Sequence, residues 1–400
     1  MTPRPPVFVT GMGCICHAGG TLDACMRSLY NGHRQPGPPT TFKIPAENGS
    51  PVFEVPPAFL PAEIRRRDGL PRLFQLVLSA ASEAIGHADW TVRALGGLRV
   101  GVCLGTNVGT AMNNERFYRN SPESGDPFVS PQERFLQSNP TTALAREWHL
   151  SGPTLTAVTA CSAGADAIGL AADWIRAGIC DLVITGGGDT LYQVTYQGFR
   201  SLMIMDTGPC RPFDRRRNGL NLGEGAAVMI LESPELAKTR RHRIRASILG
   251  YGASADAYHL TSPDPTGAGL ALAIDNALRE SSVPPEAIAF INAHGTGTED
   301  NDRIESRVLA GRFPEIPFFS TKGYTGHTLG AAGAIEAVFS VACLENGKIP
   351  ASLGFEEADP SLASRPVGAN TPIRGRIALS ESLAFGGNNA VLVIGSGAEP

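Results

Sequence analysis

None of the eight cysteines belongs to a C-x-x-C pair, and their scatter argues against both a disulfide framework and a structural zinc. A cysteine with a special role must therefore be special through its surroundings. No apolar run reaches the roughly 18 residues that a membrane helix needs, and the start, MTPRPPVFVTGMG, lacks the apolar stretch of a secretory signal. The expectation is a cytoplasmic protein without membrane contact. Charge is sparse as well. Only 18% of residues are charged, with a net of −4, which excludes a disordered chain and a generally nucleic-acid-binding surface.

The 400 residues, 42% of them hydrophobic, are enough for a large core. At about one domain per 150 residues they predict two or three units, or one unit duplicated. The 46 glycines and 31 prolines imply many turns and close backbone approaches. Short β-rich runs at 7–13, 98–105, 182–188 and 226–233 alternate with Ala/Leu/Ile segments at 72–88, 162–178 and 268–281 that read as helices. This is an α/β pattern. PELAKTRRHRIR, residues 234–245, reads as a charged bridge. Beyond it the order recurs: a strand at ASILGYGAS, a helix at 268–281, a strand at 288–295, a helix at 331–346 and strands within 377–395. Two similar halves, 1–240 and 241–400, are expected. Stretches 34–62 and 113–140, rich in Pro, Asn and Ser, read as surface insertions in the first half, where they would border a binding site.

TACSAGADAIG, residues 159–169, sets Cys161 at the start of a helix of small residues. The free N–H groups and partial positive charge there are expected to stabilise a thiolate and lower its pKa from about 8.5. Local sequence leaves a packing thiol and an attacking thiol both open. Cys14, Cys16, Cys25, Cys103, Cys180, Cys210 and Cys343 read as packing residues. NAHGTGTEDND places His294 at a strand end, and STKGYTGHTLGAAGAIEA places Lys322 and His327 before a helix of small residues. Taken singly, each histidine reads as a hydrogen-bonded core residue. Together with Cys161 they would supply a nucleophile and two imidazole donors. A metal is disfavoured, because the pair lacks H-x-x-x-H spacing and no acidic or cysteine ligand accompanies it. Lys322 also reads as half of a buried ion pair with Glu305.

These strings, with FGGNN at 385–389, RPFDRRRNGLNLGEGAAVMILE at 211–232 and DAYHLTSPDPTGAG at 256–269, occur in an order that resembles the β-ketoacyl-[acyl-carrier-protein] synthases, most like the type II elongating enzymes. The resemblance covers nearly the whole chain. It implies the thiolase fold, an α/β fold of duplicated halves in a five-layer α-β-α-β-α sandwich, and a dimer, either homodimeric or paired with a ketosynthase-like chain-length factor. It implies an acyltransferase with Cys161 as acyl acceptor, His294 and His327 completing a Cys-His-His site, and Lys322 as site lysine. The N–H groups of Cys161 and Phe385 would form the oxyanion hole, with Phe385 as gate. Glu305, Asp302, Gly386 and Gly387 would support the site, and Val108 and Phe199 would line the acyl pocket. Arg65, Arg66, Arg67, Arg211, Arg215, Arg216 and Arg217 would dock an acidic acyl carrier protein, although a solvated face is the plain reading of any arginine run. No metal and no cofactor is implied beyond the phosphopantetheine arm of the carrier.

Some residues depart from the family pattern. The 34–62 region is short, Asn388 replaces threonine in FGGTN, Gly323-Tyr324 follows the lysine, and GFRSLMIMD stands at 198–206. Expected near the tunnel and gate, these changes point to an acyl chain other than a saturated fatty one, such as a polyketide or polyene intermediate. Three rival readings are weaker. A non-catalytic chain-length factor lacks the cysteine, a degradative thiolase wants a second cysteine where FGGNN stands, and a loading-type synthase carries one histidine and one asparagine.

Overall fold

Strands whose apolar runs are unbroken make a sheet buried on both faces, and that is how the chain is built. The computed structural model describes residues 4–44, 49–109 and 139–397. Residues 113–138 of the second expected insertion lie outside them. The strands are β1 (Val7–Cys16), β2 (Val100–Gly105), β3 (Thr154–Ala157), β4 (Leu182–Asp189), β5 (Gly225–Glu232), β6 (Ala246–Ala255), β7 (Phe290–Asn292), β8 (Phe318–Phe319), β9 (Lys348–Ile349), β10 (Thr371–Pro372), β11 (Ile377–Leu383) and β12 (Asn388–Ser396). β9 and β10 form a ribbon of their own. The other strands form one ten-stranded sheet in the order β3-β2-β4-β5-β1-β6-β12-β11-β7-β8.

That order is one five-strand pattern written twice. In the first part β2 runs parallel to β3 and β4, and β5 is antiparallel to β4 and β1. In the second part β7 runs parallel to β8 and β11, and β12 is antiparallel to β11 and β6. Within the sheet, among the described residues, Val7 to Val9 of β1, paired with Ala246 to Ile248 of β6, join the two. Helix Arg72–His87 covers β1 and β5 on one outside, and helix Ala268–Ser281 covers β6 and β12 on the other. Helices Ala163–Arg176 and Ala332–Asn346 pack on each other and on strands of both parts, giving the central layer of five.

The central layer explains the Ala/Gly-rich helices. A Cβ on Gly164 would meet the backbone nitrogen of Ala334 at 2.8 Å, and one on Gly333 would meet Ala165 Cβ at the same distance. We expect Gly164→Ala to cost about 1–3 kcal/mol through this overpacking, seen as a lower urea midpoint. An unchanged midpoint would show that the helices can part freely.

Three expectations need correction. One segment among the described residues, Leu329–Asn346, is long and apolar enough to pass for a membrane span, but 89% of it is buried inside the protein as the core helix. The 34–62 stretch is only partly superficial: Val52, Phe53 and Val55 are buried, and Phe53 pairs with Gly223 beside the strand segment that carries His327. The strand expected at 288–295 is only Phe290–Asn292. Past it, the N–H groups of His294 and Gly295 turn to the Glu305 carboxylate instead of a neighbouring strand, at 2.6 and 2.8 Å.

Candidate active site

After β3 the chain turns through Ala160, whose φ of +54° is costly for a residue with a Cβ, into a tight turn Ala160–Ser162 and then helix Ala163–Arg176. Side chains hold this turn. Ser162 Oγ lies 2.9 Å from the Thr159 carbonyl and 2.8 Å from Asp166 Oδ2, sharing its one proton between them. The Thr159 hydroxyl donates to the same carboxylate, and Tyr251 donates its OH to Asp166 Oδ1 at 2.6 Å. Asp166 escaped the sequence reading. Its signal is that of a lone acid in an otherwise small, apolar run.

Cys161, 3% exposed, presents Sγ 3.0 Å from His327 Nε2. Burial pushes the thiol up to about 12, with the Phe385 N–H and the Lys322 charge pulling the other way. The expected lowering at a helix start is therefore overturned: the sulfur sits in the turn before the helix, in a desolvated chamber that favours the neutral thiol. Because thiolate is the reactive form, alkylation of Cys161 by iodoacetamide is expected to speed up about tenfold per pH unit between pH 7 and 9. Peptide mass spectrometry would follow it, and a plateau below pH 8 would contradict this reading.

His294 and His327 face each other edge to face, with centroids 5.3 Å apart. Lys322 Nζ lies 3.1 Å from His294 Nδ1 and 2.5 Å from the His294 carbonyl. An ammonium has only protons to give, so Nδ1 accepts and the His294 ring proton belongs on Nε2. Both imidazoles are held well below their ordinary 6.5, by burial first and then by the Lys322 charge, and so they stay neutral. The main chain of His327 is fixed by its N–H to the Asn221 carbonyl at 2.7 Å and by Gly223, which donates to its carbonyl at 2.9 Å.

The expected partner of Lys322 is also corrected. The ammonium pairs with Glu336 Oε1 at 2.5 Å, both groups being buried. Glu305 instead spends its oxygens on the backbone of His294 and Gly295 and on Asn301 Nδ2. Asp302 accepts the Phe213 N–H at 2.6 Å and the Gly297 N–H at 3.2 Å, tying the two loops together. Glu336 was missed in the sequence, where it stands as the lone charge within the small, apolar run 329–343. Asp189 was missed too. It accepts the N–H groups of Asn107, Val108 and Gly330, and so links the Val108 loop to the segment after His327.

A cavity of about 430 Å³ reaches Cys161, His294, His327 and Phe385 from outside, with Leu202, Met203 and Leu260 among its lining residues. Those three are well exposed. Phe385 stacks on Phe199 at 5.5 Å, and both join Val108, Tyr196, Leu191 and Leu329 in one apolar cluster. Gly386 and Gly387 take φ of +86° and +81°, a backbone that lets the Phe385 loop turn, and a Cβ on Gly387 would meet Asp256 Cβ at 2.9 Å. From the stretches that depart from the family pattern, 34–62 and 198–206, Phe42, Ile44, Phe199, Ile204 and Met205 fall in or against this cluster. Tyr324 does not; it is packed in the main core.

The arginines are dispersed. Arg65 and Arg66 are exposed, and Arg67 forks onto Glu147 at 2.7 and 2.9 Å. Arg211 is half-buried. Arg215 pairs with Glu357, Arg216 with Glu356, and the buried Arg217 pairs with Asp359 while lining the cavity.

Residues 4–237 match the β-ketoacyl synthase N-terminal domain and residues 245–356 the C-terminal domain. A 3-oxoacyl-[acyl-carrier-protein] synthase 2 of Synechocystis sp. is 34% identical over 96% of this chain and 97% of its own. The ishigamide ketosynthase/chain length factor structure is 32% identical with a TM-score of 0.89, covering 98% of this chain and 99% of that one. A type II PKS acyl-carrier protein in complex with its ketosynthase bound to the hexaketide superposes with a TM-score of 0.85 at 26% identity, over 99% of this chain and 100% of that one. With its five layers, its duplicated strand order and its convergent cysteine and histidines, the chain belongs to the β-ketoacyl synthase family, acyltransferase-type condensing enzymes of the thiolase fold.

Proposed function

We propose that Cys161 carries the acyl chain and that His294 and His327 promote its decarboxylative Claisen condensation with malonyl-[acyl-carrier protein]. The observation that carries this reading is one chamber in which Cys161 Sγ lies 3.0 Å from His327 Nε2 while His294 faces the same ring edge-on. In the first half-reaction the sulfur attacks the acyl thioester of the carrier. The thiol proton leaves with the departing phosphopantetheine sulfur, so no net charge is left in a site that disfavours one. The backbone N–H groups of Cys161 and Phe385 serve the tetrahedral oxyanion. In the second, the malonyl thioester loses CO2, and its enolate oxygen takes hydrogen bonds from His294 Nε2–H and His327. The enolate carbon attacks the acyl-cysteine, the C–S bond breaks, and the released thiolate takes one proton from solvent, balancing the charge that the malonyl carboxylate brought in. The steps use no metal or organic cofactor of the enzyme's own.

The substrate reading is an unsaturated or polyketide chain in a specialised type II pathway. The aromatic rings of Phe42, Tyr196, Phe199 and Phe385 around the acyl cluster support it, with Val108 on its edge. The partner reading is an acyl carrier protein docked near the arginines at 65–67 and 211–217, in a homodimer or a heterodimer with a chain-length factor. The two solved relatives with such partners support it. Division at residues 240/241 is supported by the twofold strand order and by the two family segments. A cytoplasmic location accords with eight free, buried cysteines. The retained Cys161 speaks against a non-catalytic chain-length factor.

Mass spectrometry of the protein mixed with saturated, polyene and aryl acyl-carrier proteins and malonyl-carrier protein tests this. We expect an acyl adduct on wild type, none on Cys161→Ala, and ketoacyl product fastest with unsaturated chains. Preference for saturated chains would defeat the substrate reading, and no adduct with any chain would defeat the catalytic one.

A further inference from the structure

Three cysteines play no part in this chemistry. Cys14 and Cys16 stand two residues apart at the end of β1, so their side chains leave the same face of the sheet. Helix Leu22–Tyr30 returns over that face and brings Cys25 to them. The three sulfurs lie within 4.8 Å of one another, Cys16 and Cys25 at 3.6 Å, and all three residues are fully buried. Among the described residues, no histidine, aspartate or glutamate ligand atom joins them within that radius.

The arrangement is braced from outside. One Glu83 oxygen accepts the Cys14 N–H and the other the Leu22 N–H, both at 2.9 Å, so a single carboxylate fixes the strand end and the start of the helix. Cys16 and Gly19 exchange two backbone hydrogen bonds at 3.0 Å, closing the hairpin over the sulfurs. Beyond this one layer of backbone runs a groove of about 1010 Å³, lined in part by Ala18, Gly19, Gly20, Thr21 and Ala24.

We propose that Cys14, Cys16 and Cys25 form a binding site for one soft, thiophilic d10 cation, best suited to monovalent copper. A metal–sulfur length of about 2.3 Å at the centre of a flat triangle places sulfurs about 4.0 Å apart, which fits the observed spacing. Sulfur donors suit both zinc and monovalent copper, but zinc prefers four ligands, and three sulfurs without a fourth ligand favour monovalent copper. Charge favours the same ion. Release of one thiol proton to solvent leaves one thiolate, two thiols and one monovalent cation, a neutral centre that full burial tolerates.

The test is an anaerobic titration of the full-length, phosphine-reduced protein with Cu(I) against a chromophoric Cu(I) chelator. Wild type and Cys161→Ala are expected to retain one equivalent, and Cys16→Ala none. X-ray absorption of the wild-type complex is expected to show a shell of sulfur alone, a readout that stands even if Cys16→Ala fails to fold. The proposal is overturned if wild type retains no copper, if folded Cys16→Ala retains as much as wild type, or if the shell contains nitrogen or oxygen. Four-coordinate zinc retained in preference to copper would overturn it as well.

Discussion

His327→Ala is expected to lower both acyl transfer to Cys161 and condensation, the latter by about 100- to 1000-fold, the usual effect of losing one preorganised donor to a developing oxyanion. His294→Ala should behave differently. His327 Nε2 touches the sulfur at 3.0 Å, whereas among the described residues the His294 ring is bonded to the Lys322 ammonium and stacked edge-on against the His327 ring. The His294 variant is therefore expected to gain the acyl mass at close to the wild-type rate and then to stall, with malonyl decarboxylation reduced by a similar factor. Time-resolved mass spectrometry separates the two half-reactions, and CO2 release reports the second. Equal loss of acylation in both variants would sink this division of roles. So would unimpaired decarboxylation in His294→Ala.

The second large effect concerns Lys322, which we read as a positioning residue. Lys322→Met leaves the Glu336 carboxylate buried without its cation, and stranding one member of such a pair commonly costs about 3–5 kcal/mol. Burial already raises Glu336 to about 7 even beside the ammonium. Its folded pKa lies above the ordinary 4.5, so its contribution to stability is complete at low pH and is lost as pH rises through 7. Without the ammonium that pKa climbs further, and the defect in Lys322→Met should grow between pH 6 and 8.5 as measured by urea midpoints. Lys322→Met/Glu336→Leu removes both charges and is expected to recover most of the lost stability while leaving decarboxylation low, because nothing then fixes the His294 tautomer. If the double variant recovers activity along with stability, the lysine acts through the fold alone.

The legible part of the site was the part written in short, local strings. The turn around Cys161 and the glycine corners beyond His294 and before His327 each combine a reactive side chain with residues small enough to let the backbone close on a ligand, and FGGNN joins an apolar gate to two such residues. Apolar runs without alternation marked β2, β4 and β5 as strands buried on both faces, and helices of small residues marked the central layer. Less legible were side chains whose role depends on a distant partner. Glu305 and Glu336 are both acids on helices of the second half, and spacing offers no way to choose between them for Lys322. The helix that is buried nearly all round decides for Glu336, while Glu305 is turned toward the backbone of its own loop.

Sequence by itself determined which residue types this protein has for its chemistry and which segments must lie inside, because strand and helix periods and glycine's freedom act over a few neighbours. Tertiary structure alone decided the proton economy. Desolvation, summed over atoms from many segments, raises the Cys161 thiol against the pull of its neighbours, keeps both imidazoles neutral and assigns the lysine its anion. The meeting of Cys14, Cys16 and Cys25 was decided there too, since only the return of a helix over β1 brings sulfurs of an unremarkable spacing to within metal-binding distance.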